Sequence, residues 1–154
     1  MRINIKFARI AATIILFLII SFIFGNSFDV AEVSQGKSGY ITEAINKVSN
    51  VIFPQIEVTE HFVRKTAHFC EYMLLGFWFV VTFRAYTANV FGFAVLPLFA
   101  GLITALIDET LQIFVPGRSG MLTDVWLDFG GIVFGVFMGL VILCFASKRC
   151  RKIL

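Results

Sequence analysis

Between Arg64 and Tyr72 the sequence reads RKTAHFCEY, at the head of an apolar run that continues to Phe83. A run of that length predicts a membrane-spanning helix, and a charge inside hydrocarbon costs about 2.5–3.5 kcal/mol at mid-helix on insertion scales. At about 3.6 residues per turn, Arg64, Lys65, His68, Glu71 and Tyr72 fall within a sector roughly 120° wide. That stripe must face partners or a wet cavity instead of lipid. Asp108 and Glu109 with Gln112, and Asp124 with Asp128, are the partners on offer.

The rest of the chain agrees with a membrane setting. It is 58% hydrophobic over 154 residues, with a mean hydropathy of +0.88, whereas soluble domains are about 45–50% apolar. One domain over residues 1–154 is the expectation at this length. The net charge of +3 comes with no basic stretch carrying interleaved aromatics, which argues against a nucleic-acid partner. Three cysteines, Cys70, Cys144 and Cys150, have no paired spacing, so neither a disulfide framework nor a zinc signature follows. Cys150 stands among Lys148, Arg149, Arg151 and Lys152, a setting that would lower a thiol pKa or suit a lipidated juxtamembrane cysteine.

Four spans are expected, at about 7–24, 62–83, 90–108 and 125–146. The first follows the basic Arg2, Lys6 and Arg9 and lacks a clear signal-peptidase site after Phe24, so it reads as a retained helix. The stretch from Asn26 to Glu57 is the most polar. Ser34, Gly36, Ser38 and Gly39 read as a loop, followed by a short amphipathic helix carrying Ile41, Ala44, Ile45 and Val48 that Pro54 ends. Thr59 and Thr123 are the expected N-caps of the second and fourth spans. Val115 to Gly120 is turn-forming, and Gly131, Gly135 and Gly139 form a small-residue stripe suited to close helix approach. The fold class expected is therefore all-α: a four-helix membrane bundle with a short extracytoplasmic amphipathic helix.

Eight of the 13 Lys and Arg lie in the N-terminal segment, at Arg84 and in the C-terminal tail. The positive-inside rule places these in the cytoplasm, with both termini inside and the 26–58 and 110–123 connections outside. All ten Asp and Glu then lie outside or in the outer part of a span, so three polar clusters are expected at one depth. On the third span Gly101, Thr104, Asp108 and Gln112 share a face, with Glu109 turned away by about 100°. On the fourth, Asp124 and Asp128 share the face of Gly131 and Gly135.

Three chemistries could use such a cluster. His68 with Glu71, Asp108 and Glu109 could do acid–base work. The same four could hold a hard divalent metal ion, the one cofactor the residues suggest. Arg64, Lys65 and Arg118 could clamp an anionic headgroup, with Tyr72, Gln112, Asp124 and Asp128 completing the binding surface. His61 sits higher on its helix, where solvation suffices. The bland alternative is a structural ion network in which the three cations neutralise Asp108, Asp124 and Asp128. A transporter fits less well, because the inner halves of the spans carry no ionisable groups or paired breaks.

At these residues the chain resembles the VanZ-like family, named after a teicoplanin-resistance accessory protein. The likeness rests on Arg64 to Phe69 with Glu71, Tyr72, Leu75 and Gly76, then on Asp108, Glu109 and Gln112. It continues through Pro116, Gly117 and Arg118, then Asp124, Asp128, Gly131 and Gly135, and it includes Asn26, Ser27, Ser34 and Ser38 after the first span. The resemblance implies a small polytopic protein of the bacterial cytoplasmic membrane, associated with glycopeptide tolerance and without a settled reaction. The partner class expected is a membrane lipid or lipid-linked wall precursor.

Overall fold

The computed structural model describes residues 5–52, 57–90 and 92–151, and the side chains of 5–48, 57–90 and 92–146. Among them the chain is all-helical: α1 (Ile5–Ser27), α2 (Ala31–Ile52), α3 (Glu60–Tyr86), α4 (Val95–Ile113) and α5 (Leu122–Arg151). All but α2 are long and apolar enough to cross a membrane. The chain runs up and down through these four. One end of the bundle therefore gathers the C-termini of α1 and α4 with the N-termini of α3 and α5.

The two longest helices, α3 and α5, share the most extensive contact, and missing side chains make it possible. A Cβ on Gly131 would meet the Phe69 carbonyl oxygen at 2.5 Å, and one on Gly135 would run into that of Met73. From the other side, a Cβ on Gly76 would strike the Ile132 backbone. Without strong hydrophobic drive between helices in lipid, such close approach is how van der Waals packing accumulates. Tyr72, Leu75, Val80, Ala105, Ile132 and Val136 fill the buried centre. Helix α1 is tied on by Trp78 and Thr82, whose side chains both donate to the Ala12 carbonyl.

Three details depart from the sequence expectations. The Ser34–Gly39 stretch is helix, not loop, and α2 runs unbroken through it. Two glycines cost a helix about 1 kcal/mol each relative to alanine. Here the serine and threonine hydroxyls of the stretch bond within the helix, Ser38 to the Ser34 carbonyl and Thr42 to that of Ser38. Ser38 and Thr42 are also buried, so packing outweighs propensity. The expected stop at Pro54 lies outside the described residues. Second, α4 starts at Val95, not near Val90. Pro97 explains this, since a proline is tolerated in a first turn but clashes with the carbonyl four residues back in a helix interior. Third, α5 begins one residue before Thr123, so Thr123 is in its first turn and is not its cap. Thr59 does cap α3, accepting the Phe62 N–H at 3.3 Å.

Helix α2 packs over the bundle end where the polar groups gather. Asn46 brackets Val58 with two hydrogen bonds, to its carbonyl and from its N–H. The apolar set Ile41, Ala44, Ile45 and Val48 points away from the bundle and is exposed, as are Val33 and Tyr40.

Candidate functional site

The site is built on the ends of four helices. From Glu60, two turns of α3 carry the chain through Arg64 and Lys65 down to His68, about 12 Å along the axis. In α4, Asp108 stands five residues before the C-terminal Ile113, and in α5 Asp128 stands six residues after the N-terminal Leu122. These depths match, and a donor atom from each of His68, Asp108 and Asp128 lies within 4.8 Å of the others. Asp108 is 0% exposed and Asp128 1%.

Above this floor opens a cavity of about 230 Å³. Arg64, Lys65, His61 and His68 line it from α3, Asp124 and Asp128 from α5, and Glu109 and Gln112 from α4. Ala31, Ser34 and Gln35 of α2 close one side, and Gly117, Arg118 and Met121 of the connection close another. Asp108 lies beneath the lining. His61 and Gln35, which sequence reasoning left aside, belong to this wall.

The side chains are not paired as charge alone would pair them. Lys65 reaches Asp124 at 3.0 Å. Asp108 accepts from Ser27 Oγ at 2.5 Å on one oxygen and from Gln112 Nε2 at 3.2 Å on the other. Asp128 has no hydrogen-bond partner on either oxygen, and His68 Nδ1 and the Tyr72 hydroxyl are likewise buried and unpartnered. Glu109 accepts the Met121 N–H at 2.9 Å, so its carboxylate sits at the N-terminus of α5, where the helix dipole favours negative charge. Among the described residues no Lys or Arg contacts Asp108 or Asp128.

Arg118 shows how local sequence sets geometry. Val115-Pro116-Gly117-Arg118 closes a turn through the Arg118 N–H and the Val115 carbonyl at 3.1 Å, with Gly117 at φ +77°. Proline second and a positive-φ glycine third is the type II pattern. The turn aims the guanidinium at the Asn26 and Ser27 carbonyls, 3.1 and 3.0 Å away, and at Ser34 Oγ, 3.0 Å away. Arg118 thus caps the C-terminus of α1 and fastens α2 to it. The expected neutralisation of Asp108, Asp124 and Asp128 by Arg118 is replaced by this cap. Burial, and then the neighbouring Arg64 charge, lowers the Arg118 pKa from its ordinary value.

The structure thus brings together, around one cavity, Arg64, Lys65, His68, Glu109, Gln112, Arg118, Asp124 and Asp128, with Asp108 directly below. Two residues of the expected set lie elsewhere. Glu71 is not in the lining: it accepts from Asn26 Nδ2 at 3.0 Å and borders a second, apolar hollow against α1 beside Ile15, Leu18 and Phe22. Tyr72 is fully buried in the core. The four residues expected to share a metal do not converge as a set. Asp128 joins His68 and Asp108, while Glu71 and Glu109 bond elsewhere. Ser27 enters the site as a hydrogen-bond donor to Asp108, a role that nothing in its spacing signals.

No curated protein and no solved structure matches the chain. The sequence model of the VanZ/LLP1 family matches residues 12–144, which takes in α2, α3, α4, most of α1 and α5, and every residue of the cavity. The chain therefore belongs to the VanZ/LLP1 family, as a VanZ-type multi-pass membrane protein of the cell envelope in a family linked to glycopeptide resistance.

Proposed function

We propose that the cavity binds the anionic headgroup of an envelope amphiphile, a phospholipid or a lipid-linked wall precursor. The observation that supports this most is the charge gradient down the cavity. Arg64 and Lys65 stand at its rim, and Arg64 has no ion pair among the described residues. The floor is His68 beside Asp128. A rim cation free of a carboxylate attracts a phosphate without first breaking a salt bridge. His68 is the group placed to move a proton on a bound headgroup, with Asp128 beside it, if modification follows binding.

The exposed apolar face of α2 fits a helix lying in the membrane interface with its small polar face on the bundle. The orientation that accompanies this reading has both termini in the cytoplasm, with the cavity opening to the outer face of the bacterial cytoplasmic membrane.

Native mass spectrometry of the detergent-purified protein tests the binding. The expected result is an anionic lipid retained by the wild type and lost from Arg64→Ala with Lys65→Ala. Equal retention by the double variant contradicts it. The Lys65–Asp124 pair is partly exposed, and such pairs contribute about 0–1 kcal/mol, so the variant should still fold.

A second reading is favoured by the Ser27–Asp108 bond between α1 and α4 and by the Arg118 cap, which hold helices together. On it the protein is a non-catalytic partner or regulator of an envelope complex. Asp128→Asn separates the two: a structural role lowers abundance in the membrane, whereas a ligand role leaves a stable protein without function.

A further inference from the structure

We propose that His68, Asp108 and Asp128 form a binding site for one divalent transition ion, Zn²⁺ being the best fit. The inference stands on side-chain geometry and does not depend on headgroup binding. It begins with what is unsatisfied. Asp128 is 1% exposed, yet neither carboxylate oxygen has a hydrogen-bond partner, and His68 Nδ1 is buried in the same condition. A buried charge is ordinarily paired or bound to a metal. Among the described residues the nearby cations are occupied elsewhere or make no contact: Lys65 is on Asp124, Arg118 is on backbone carbonyls, and Arg64 pairs with no carboxylate.

One atom from each of three helices converges within 4.8 Å. In a tetrahedral zinc site with bonds of about 2.0–2.2 Å the ligand atoms stand roughly 3.4 Å apart, so modest side-chain rotations close the shell. Two carboxylates balance a divalent charge, leaving a neutral unit inside the bundle. The imidazole beside two carboxylates favours a transition ion over the oxygen-seeking Ca²⁺ and Mg²⁺, and it suits zinc. Three protein ligands also match the zinc sites that keep a fourth position open.

The surroundings support the same assignment. Ser27 and Gln112 each donate to one oxygen of Asp108, which fixes the carboxylate's orientation, as outer-sphere partners of metal ligands do. His68 and Asp128 line the cavity, which gives an ion a route in.

The test is zinc binding by the full chain in detergent after chelator treatment, measured by equilibrium dialysis with elemental analysis. The expected result is about one Zn²⁺ per chain, and binding weaker by at least about ten-fold in His68→Ala and in Asp128→Asn. No bound zinc in the wild type, or unchanged affinity in a variant that elutes as a folded species, overturns the proposal. X-ray absorption of the zinc-loaded wild type decides the matter should both variants fail to fold. Imidazole and oxygen ligands at about 2.0–2.2 Å uphold the site, whereas sulfur ligation or an all-oxygen shell overturns it.

Discussion

At the scale of single residues, the cavity end is held by hydrogen bonds that charge counting does not foresee. Sequence reasoning paired cations with carboxylates, because charge can be read from composition. It had no means of seeing that Arg118 would spend its donors on the backbone carbonyls of Asn26 and Ser27, since a carbonyl left open at a helix end is a property of the fold. The family resemblance took in Ser27 but not its role, which is to donate to the fully buried Asp108. Hydrogen bonds to charged groups contribute about 1.5–3 kcal/mol. Ser27→Ala should therefore destabilise the protein by about that amount in denaturant titrations in micelles. Arg118→Lys should also destabilise, despite keeping the charge, because an ammonium lacks the fork that spans two carbonyls and Ser34. If Arg118→Lys melts like the wild type, the cap contributes nothing.

Helices were more legible than contacts. Four apolar runs, the Thr59 cap and the glycine stripe of α5 could all be read from the chain, since each follows from local periodicity and propensity. What escaped was set by packing. Helix α2 continues through Gly36 and Gly39 because Ser38 and Thr42 are buried, and α4 waits for Val95 because Pro97 fits only in a first turn. A glycine of α5 and one of α1 give a matched comparison. Gly135→Ala would drive a Cβ into the Met73 carbonyl, a backbone atom that cannot swing aside. Overpacking of this kind costs about 1–3 kcal/mol, so its melting temperature should fall. Gly25→Ala, with nothing within 4 Å of its added Cβ, should be neutral or stabilising by about 0.4–1 kcal/mol. Equal melting temperatures for the two variants would mean that α3 and α5 are not in backbone contact.

At the scale of the molecule, the two ends of the bundle differ in kind. At the end opposite the cavity, Arg9 donates to the Ala85 carbonyl at 3.0 Å and lies 5.4 Å from the Tyr86 ring centroid, a compact basic cap on the C-terminus of α3. At the other end all ten acidic residues gather, Asp108 and Asp128 deepest. The spacing of each cluster along its own helix predicted a shared depth. It did not predict that Asp128 instead of Glu71 would join His68, because the rotation of one helix against another is fixed only by contacts such as Gly131 on Phe69.

One measurement bears on depth, convergence and orientation together. Lys65→Cys and Asp124→Cys are introduced with Cys70, Cys144 and Cys150 replaced, and a protease site is placed in the 88–94 connection. Intact spheroplasts are treated with a short, membrane-impermeant reagent that alkylates a thiol at each of its two ends, then solubilised and cleaved. Since the native side chains meet at 3.0 Å, the two fragments should stay joined in the double variant and separate in each single one. Separation in the double variant, with both thiols unmodified from outside, would contradict a chamber that opens outward between α3 and α5.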